Sequence, residues 1–274
     1  MRARARAARL PSHRLDGLLD PQTSVRPQQI MTDTAGYTDI MFGCYRILDF
    51  QLSPRMADSG GARFWKLDPL ADYSRLNAIA TNVIDRGVIE LCYDDILRVG
   101  GSLLQRQTTG SELMRALRSH TRHLATLGRA LAAVGRVPKT IHLLDYCNDP
   151  IYRRAILGQI NRGEGRHELA RRVCHDNKGE LPQPYRRGQE EQIGALGLVV
   201  NCIVLYNTIY TQRALDQLTA ARYEIQREDI RRLSPLGHEH ITLTGRYHIA
   251  LTETIHRGEY RPLKTPDLAE LASA

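Results

Sequence analysis

The sequence is poor in cysteine, and the five cysteines that it has form no recognisable pattern. Their number is odd, they lie far apart, and no two of them form a C-x-x-C pair. A disulfide framework requires paired cysteines and a zinc knuckle requires closely spaced ligands, so neither is indicated. The cysteines are therefore predicted to be core residues of a protein in a reducing compartment.

Long hydrophobic runs are also missing. The longest apolar stretch, Ile193 to Tyr206, has 14 residues and is interrupted by Asn201. It is too short to cross a bilayer and is typical of a buried helix. The basic N-terminus MRARARAARLPSH has no apolar core behind it, so it does not have the pattern of a secretory signal. These absences predict a cytoplasmic protein without a membrane segment.

Lysine is scarce, with 4 residues against 34 arginines, although the overall composition is that of a globular protein. Hydrophobic residues make up 42% and charged residues 25% of the chain, which excludes a disordered or collagen-like protein. Arginine binds phosphate oxygens through two parallel hydrogen bonds, so the formal charge of +8 is compatible with a nucleic-acid partner. Half of that charge lies in residues 1–30, where six arginines and two aspartates give +4.

Hydrophobic periodicity predicts a strand, a helix and a second strand near the N-terminus. Residues 1–13 have no such periodicity and are predicted to form a basic arm, followed by a short helix over residues 14–19. Residues 29–33 have the composition and flanks of a strand that Asp33 ends. Thr38 is a predicted N-cap for the next helix, and the alternation of Phe50, Leu52 and Pro54 with polar residues predicts the second strand.

The remainder of the chain is predicted to be helical. From Asp72 to Gln159 only helical periodicity is present, with helix starts at Pro138 and Pro150. A helix over residues 151–174 precedes a buried apolar helix from residue 189 to about 210, and a further helix is predicted near 214–221. Glycines mark predicted breaks in the first of these regions: Gly87, Gly100, Gly101, Gly110, Gly128 and Gly135.

Two carboxylates are candidates for chemistry. Asp33 ends a predicted strand beside the small-residue turn 34–36, which lets a substrate backbone come close. Glu164 follows 131 residues later on a predicted helix, where it shares one face with His167, Glu168 and Arg171. Carboxylate oxygens in such positions are suitable ligands for a hard cation. The alternative, in which Asp33 is a capping residue and Glu164 lies on a solvated helix face, fits the same spacing.

Longer motifs follow one another along the chain in a definite order. They are LDGLL (15–19), TDTAGYTD (32–39), SPR (53–55), TLGRAL (126–131), NRGEGRHELAR (161–171), EEQIGALGLVVN (190–201), RLSPLGHEHI (232–241) and RGEYRPL (257–263). In their residues and in their order they resemble the C-terminal DDE catalytic region of the Tn-three family of replicative transposases. The resemblance covers roughly residues 14 to 265.

The resemblance implies an α/β, mostly helical fold class: a partial ribonuclease-H-like fold with an all-helical insertion. Residues 14–58 would form the partial ribonuclease-H-like segment with the second catalytic Asp, and residues 59–149 the helical insertion. Residues 150–175 would form the helix with the catalytic Glu, and residues 176–274 a C-terminal helical region and tail. By motif, Asp33 takes the role of the second Asp and Glu164 that of the Glu.

The implied chemistry is cleavage at transposon ends by water, followed by attack of the freed 3′-hydroxyl on target DNA. Two Mg²⁺ ions about 3.5–4 Å apart would be held by the carboxylates, so Asp33 and Glu164 are the implied catalytic residues and metal ligands. The implied partners are transposon-end DNA, target DNA and a transposase oligomer. Basic residues near Glu164 are the candidates for contact with DNA: Arg162, Arg166, His167 and Arg171.

One element of the family pattern does not occur in these 274 residues. The family's first catalytic Asp lies on a D-G-T strand upstream of LDGLL, and Asp16 and Asp20 precede Asp33 by too few residues to replace it. The opening strands of the implied fold are missing as well. The prediction is a transposase fragment that is inactive alone. The alternative is a catalytically dead regulatory protein that binds DNA or a transposase.

Overall fold

The structure is a computed structural model, and it describes residues 10–19, 26–34, 37–56, 60–118, 121–174, 185–242 and 263. The described residues are mostly helical, with four short strands among them, so the α/β, mostly helical class is confirmed. The chain divides into two compact units, Met1–Ile160 and Asn161–Ala274.

The first unit begins with a helix and a parallel strand pair. Helix α1 (Leu10–Leu19) is followed by strand β1 (Gln29–Thr32), helix α2 (Asp39–Ile47) and strand β2 (Gln51–Pro54). β1 and β2 pair in parallel with Gln29 opposite Gln51, and α2 connects them. The predicted strand, helix and strand are therefore confirmed.

The start of α1 corrects the predicted basic arm. Residues 10–13, assigned to the arm, belong to α1, while residues 1–9 lie outside the described residues. Leu15 is buried and Asp16 accepts hydrogen bonds from the Gly110 amide at 2.5 Å and the Ser111 hydroxyl at 2.7 Å. Gly110 begins helix α5 (Gly110–Ala116), so Asp16 satisfies backbone donors of its first turn. This contact gives Asp16 a structural role.

The described part of the segment 59–149 is mostly helical. It contains helices α3 (Arg86–Leu91), α4 (Tyr93–Leu104), α5 and α6 (Arg122–Asn148). The expectation that it is entirely helical is wrong, because strands β3 (Trp65–Lys66) and β4 (Asn82–Val83) form a small parallel pair within it. Each strand has only two residues, which is too short for a period-two pattern to be visible in the sequence.

Helices α2 and α6 pack so closely that two glycines are required where they cross. A Cβ on Gly43 would collide with the backbone oxygen of Leu131. A Cβ on Gly135 would collide with the backbone oxygen of Asp39 and lie 2.6 Å from the Gly43 nitrogen. The predicted break at Gly135 is therefore wrong, since this glycine is a contact point inside a continuous helix.

Pro138 also lies inside α6, so the predicted helix start there is wrong. An internal proline removes one backbone hydrogen bond and costs a helix about 3 kcal/mol. The burial of Leu127, Leu131 and Leu143 along the same helix offsets this cost. Pro150, by contrast, is the first residue of helix α7 (Pro150–Val173), as predicted.

The cysteines divide between core and surface. Cys44 and Cys92 are buried, as predicted, and burial raises the pKa of Cys44 to about 12, which keeps its thiol neutral. Cys147 and Cys202 are exposed, so the assignment of all five cysteines to the core is wrong.

The second unit contains a long helix, α8 (Arg186–Ala220), and a short one, α9 (Arg227–Arg232). α8 merges the two helices predicted near 189–210 and 214–221. The prediction that it is buried is wrong, since 11% of its most apolar window is buried. By length and composition alone Arg187–Ala220 could cross a membrane, which is weak evidence because core helices meet the same test.

Candidate active site

Asp33 lies at the carboxyl end of the parallel strand pair. It is the first residue after β1 and is exposed, while Thr32 before it is buried. The Thr32 carbonyl accepts a 2.7 Å hydrogen bond from the Arg55 amide, which continues the pairing with β2 beyond the last strand residue. The backbone that carries Asp33 is thus fixed although its carboxylate faces solvent.

Helix α6 anchors the chain that follows Asp33. The Thr38 hydroxyl accepts from the Met41 amide at 3.3 Å and caps α2, as predicted. Asp39, the first residue of α2, binds Lys139 at 2.8 Å and Arg136 at 3.1 Å, one cation on each carboxylate oxygen. Asp39 is thus held by two partly buried cations, which fix the start of α2 against α6.

Both cations of this anchor also lie on aromatic rings. The Arg136 guanidinium is 4.0 Å from the centre of the Trp65 ring, and the Lys139 ammonium is 4.0 Å from that of Tyr37. Lys139 additionally donates to the Tyr37 carbonyl at 3.4 Å. Burial, reinforced by the negative charge of Asp39 and by a smaller electrostatic effect of Cys147, raises the pKa of Tyr37 to about 12. The Tyr37 phenol is therefore neutral at physiological pH.

A hydrogen-bonded chain anchors the end of β2. His142 of α6 lies 3.0 Å from the Pro54 carbonyl through Nε2 and 3.0 Å from the Tyr152 hydroxyl through Nδ1. The carbonyl can only accept, so Nε2 carries the proton and Nδ1 accepts from Tyr152. Tyr152 is 2.7 Å from the Ser53 hydroxyl, which accepts from Gln29 at 2.8 Å. Each group in this chain donates to the next, from Gln29 to the Pro54 carbonyl.

The burial of His142 makes the stability of this unit sensitive to acid. His142 is 2% exposed, and desolvation lowers its pKa below the usual 6.5, against smaller raising effects of Pro54 and Asp145. Below about pH 6.5 the unfolded chain takes up a proton that folded His142 does not. The free energy of unfolding therefore decreases as the pH is lowered. The slope contributed is at most about 1.4 kcal/mol per pH unit.

His142→Gln is expected to reduce this acid sensitivity, because the amide can donate to Pro54 and accept from Tyr152 but does not titrate. Urea unfolding of both proteins between pH 5 and pH 8 measures the effect. Parallel slopes for the parent chain and His142→Gln would show that His142 is not the group responsible.

Glu164 lies on the solvent face of α7. Leu169 is fully buried, and Glu164, His167, Glu168 and Arg171 are all exposed on the opposite side of the helix. This is the shared face that helical spacing predicts. It places two carboxylates, an imidazole and a guanidinium within about two turns.

The other two basic candidates on α7 lie away from this face. Arg162 is exposed, and the Arg166 guanidinium donates a 3.0 Å hydrogen bond to the Asn201 amide oxygen on α8. Asn207, also on α8, binds the carbonyls of Pro235 and Gly237 at 2.8 and 2.7 Å. Side-chain amides of α8 therefore hold both α7 and the segment after α9, and Arg166 is the partner of one of them.

The described residues contain no group of three or more His, Cys, Asp or Glu side chains that could hold a metal ion. Asp33 lies in the first unit and Glu164 in the second. Their meeting at one site therefore remains a prediction from the sequence. The donor chemistry of the two exposed carboxylates does fit a hard divalent cation.

Comparison with known proteins identifies the class of domain. The chain matches the Tn3 transposase DDE domain over residues 8–247. It is 47% identical over 249 residues to the transposase for transposon gamma-delta of Escherichia coli (strain K12), covering 91% of this chain and 25% of that protein. It is 42% identical over 250 residues to the transposase for transposon Tn4556 of Streptomyces fradiae, covering 91% and 28%.

A third relative, the transposase for transposon Tn1546 of Enterococcus faecium, is 35% identical over 253 residues, covering 92% of this chain and 25% of that protein. The chain belongs to the Tn3 transposase DDE domain family. It spans about a quarter of the length of the curated relatives that it matches.

Proposed function

We propose that these residues form the part of a DDE transposase that contributes Asp33 and Glu164 to DNA cleavage and strand transfer at transposon ends. The observation that carries this proposal is the position of Asp33, exposed at the carboxyl end of a fixed parallel strand pair in a chain of this family. A strand end of this kind presents a carboxylate to a substrate while the backbone beneath it stays in place.

The proposed fold of the first unit is a partial ribonuclease-H-like fold. The parallel pair β1 and β2, joined by α2, supports this assignment, since the resemblance assigns Asp33 to the end of such a strand. Helices α3 to α6 would be the insertion, and α7 the helix that brings the catalytic Glu.

The proposed cofactor is Mg²⁺, held by the carboxylates of Asp33 and Glu164. Both are exposed oxygen donors of the type that Mg²⁺ prefers. When bound, the ions would stabilise the attacking and leaving oxygens of each displacement. The part played by the protein is positional: Arg136 and Lys139 hold Asp39 at the start of α2, and His142 holds Pro54 at the end of β2.

The proposed partners are transposon-end and target DNA, together with other transposase subunits. His167 and Arg171 share the exposed face of Glu164, where they would bind phosphate oxygens next to the reacting carboxylate. Arg162 and Arg166 would extend this contact, Arg166 at the expense of its bond to Asn201. The proposed location is the cytoplasm, without membrane attachment.

The experiment that tests this proposal is a chimera in which the matching segment of the gamma-delta transposase is replaced by this chain. The identity of 47% over 249 residues makes such an exchange feasible. The chimera should cleave and join transposon-end DNA in Mg²⁺. The separate 274-residue chain should not, because it has no D-G-T motif for a third carboxylate.

A further inference from the structure

Arg55 lies beside Asp33 at the carboxyl end of the parallel strand pair. The register of β1 and β2 places Thr32 opposite Pro54, and the Arg55 amide donates to the Thr32 carbonyl at 2.7 Å. In a parallel ladder this hydrogen bond sets Arg55 opposite the residue after Thr32, which is Asp33. Because neighbouring strands lie about 4.8 Å apart, the backbone of Arg55 is next to that of Asp33.

Both polar groups of the peptide between Pro54 and Arg55 are hydrogen-bonded. The Pro54 carbonyl accepts from His142 at 3.0 Å, and the Arg55 amide donates to Thr32. Pro54 is itself buried, and its ring restricts the backbone at that position. The backbone from which the Arg55 side chain projects is therefore held by partners on β1 and on α6.

The Arg55 side chain is exposed, and its guanidinium has no ion pair or hydrogen bond in the part of the chain that the structure describes. Arg136 and Lys139 differ in this respect, since both are paired with Asp39. A guanidinium donates two parallel hydrogen bonds to an oxyanion such as a phosphate. Arg55 thus combines a fixed backbone with a head group that is suited to binding an anion from outside the protein.

We propose that Arg55 binds two non-bridging oxygens of the DNA phosphate that is cleaved or joined beside Asp33. This inference rests on the proposed function, because that function brings the phosphate to this strand end. The Asp33 carboxylate repels a phosphate group unless a cation lies between them, and Arg55 supplies a cation from the neighbouring strand. Its charge also offsets the negative charge that a nucleophile meets at the phosphate.

The first test measures DNA binding by the gamma-delta chimera without divalent metal, so that no cleavage occurs. It compares a transposon-end duplex with the same duplex carrying a neutral methylphosphonate at the cleavage position. The parent chimera should bind the natural duplex about three- to thirtyfold more tightly, and Arg55→Ala should bind both duplexes within about twofold. A variant that has only lost stability would bind both duplexes more weakly and keep the ratio between them.

Arg26→Ala is the matched control for this comparison. Arg26 is exposed and precedes β1 by three residues, so its replacement removes the same charge at the amino end of the same strand pair. Arg26→Ala should keep the preference of the parent chimera for the natural duplex. A parent chimera without that preference, or an Arg55→Ala variant that keeps it, would overturn the proposal.

The second test measures joining of transposon ends in Mg²⁺. Arg55→Ala should reduce joining by about 10²- to 10³-fold, and Arg55→Lys should restore it only in part, because an ammonium keeps the charge without the two parallel hydrogen bonds. A chimera that neither cleaves nor joins but shows the Arg55-dependent preference contradicts the proposed function and supports the phosphate contact. A chimera that joins equally well with Arg55→Ala contradicts the contact and leaves the proposed function standing.

Discussion

Asp33→Asn in the gamma-delta chimera is expected to reduce joining of transposon ends by about 10³-fold or more, and Glu164→Gln should have an effect of the same size. Each substitution replaces a charged oxygen donor by an amide, which is a poorer ligand for Mg²⁺. DNA binding should change little, since neither variant removes a basic residue. Single-turnover cleavage and joining assays measure the chemistry, and gel shifts measure the binding.

Glu168→Gln is the matched control for these variants. Glu168 is exposed on the same face of α7, one turn from Glu164, so its replacement makes the same change of charge in the same place. Joining should stay within a few-fold of the parent chimera. If Glu168→Gln abolished joining as completely as Glu164→Gln, the assignment of the catalytic carboxylate to Glu164 would have to be given up.

Gly135→Ala is expected to lower the stability of the first unit by about 3 kcal/mol or more, with a fall in Tm of roughly 6 °C or more. The added methyl group would collide with the backbone oxygen of Asp39 and approach the Gly43 nitrogen. Backbone atoms cannot rotate aside as a side chain can, so α2 and α6 must separate. Thermal melts and urea titrations followed by circular dichroism measure the loss.

Gly158→Ala is expected to have the opposite effect on the stability of the same unit. Gly158 lies within α7, and an added Cβ there meets no atom within 4 Å. Alanine should therefore stabilise that helix by about 0.5–1 kcal/mol through its higher helix propensity. A Gly135→Ala protein as stable as the parent chain would show that the close crossing of α2 and α6 is not a feature of the folded protein.

The elements around Asp33 could be predicted because their determinants are local. Gln29 to Asp33 and Phe50 to Pro54 have strand composition and turn residues at their ends, and Thr38 has the side chain that an N-cap requires. The structure confirms all three elements. Their pairing in parallel follows from the helix between them, which is long enough for a crossover.

Tertiary packing accounts for the wrong predictions at Gly135 and Pro138. Both residues weaken a helix in isolation, and the sequence alone indicates a break or a start at each. In α6 the close approach of α2 requires a residue without a side chain at position 135, and burial along the helix outweighs the cost of the proline. Local propensity cannot reveal a constraint that a helix more than 80 residues away imposes.

The anchors of the candidate site were not predicted either, although a pattern for them exists. Arg136, Lys139 and His142 follow one another at intervals of three residues and so lie along one side of α6. Their partners Asp39 and Pro54 are distant in sequence, and no local rule connects them. Spacing could have identified this row of residues, but only the fold shows that it holds the start of α2 and the end of β2.

The central claim is that the carboxylates of Asp33 and Glu164 are ligands of the same metal site. Iron-directed cleavage of the protein backbone tests this claim most directly. Fe²⁺ bound in place of Mg²⁺ generates hydroxyl radicals with peroxide and ascorbate, and these cut the backbone next to the ion. In the chimera, cuts should occur near both Asp33 and Glu164, excess Mg²⁺ should suppress them, and Asp33→Asn should remove both sets. Cuts near Glu164 that persist undiminished in Asp33→Asn would contradict the shared site.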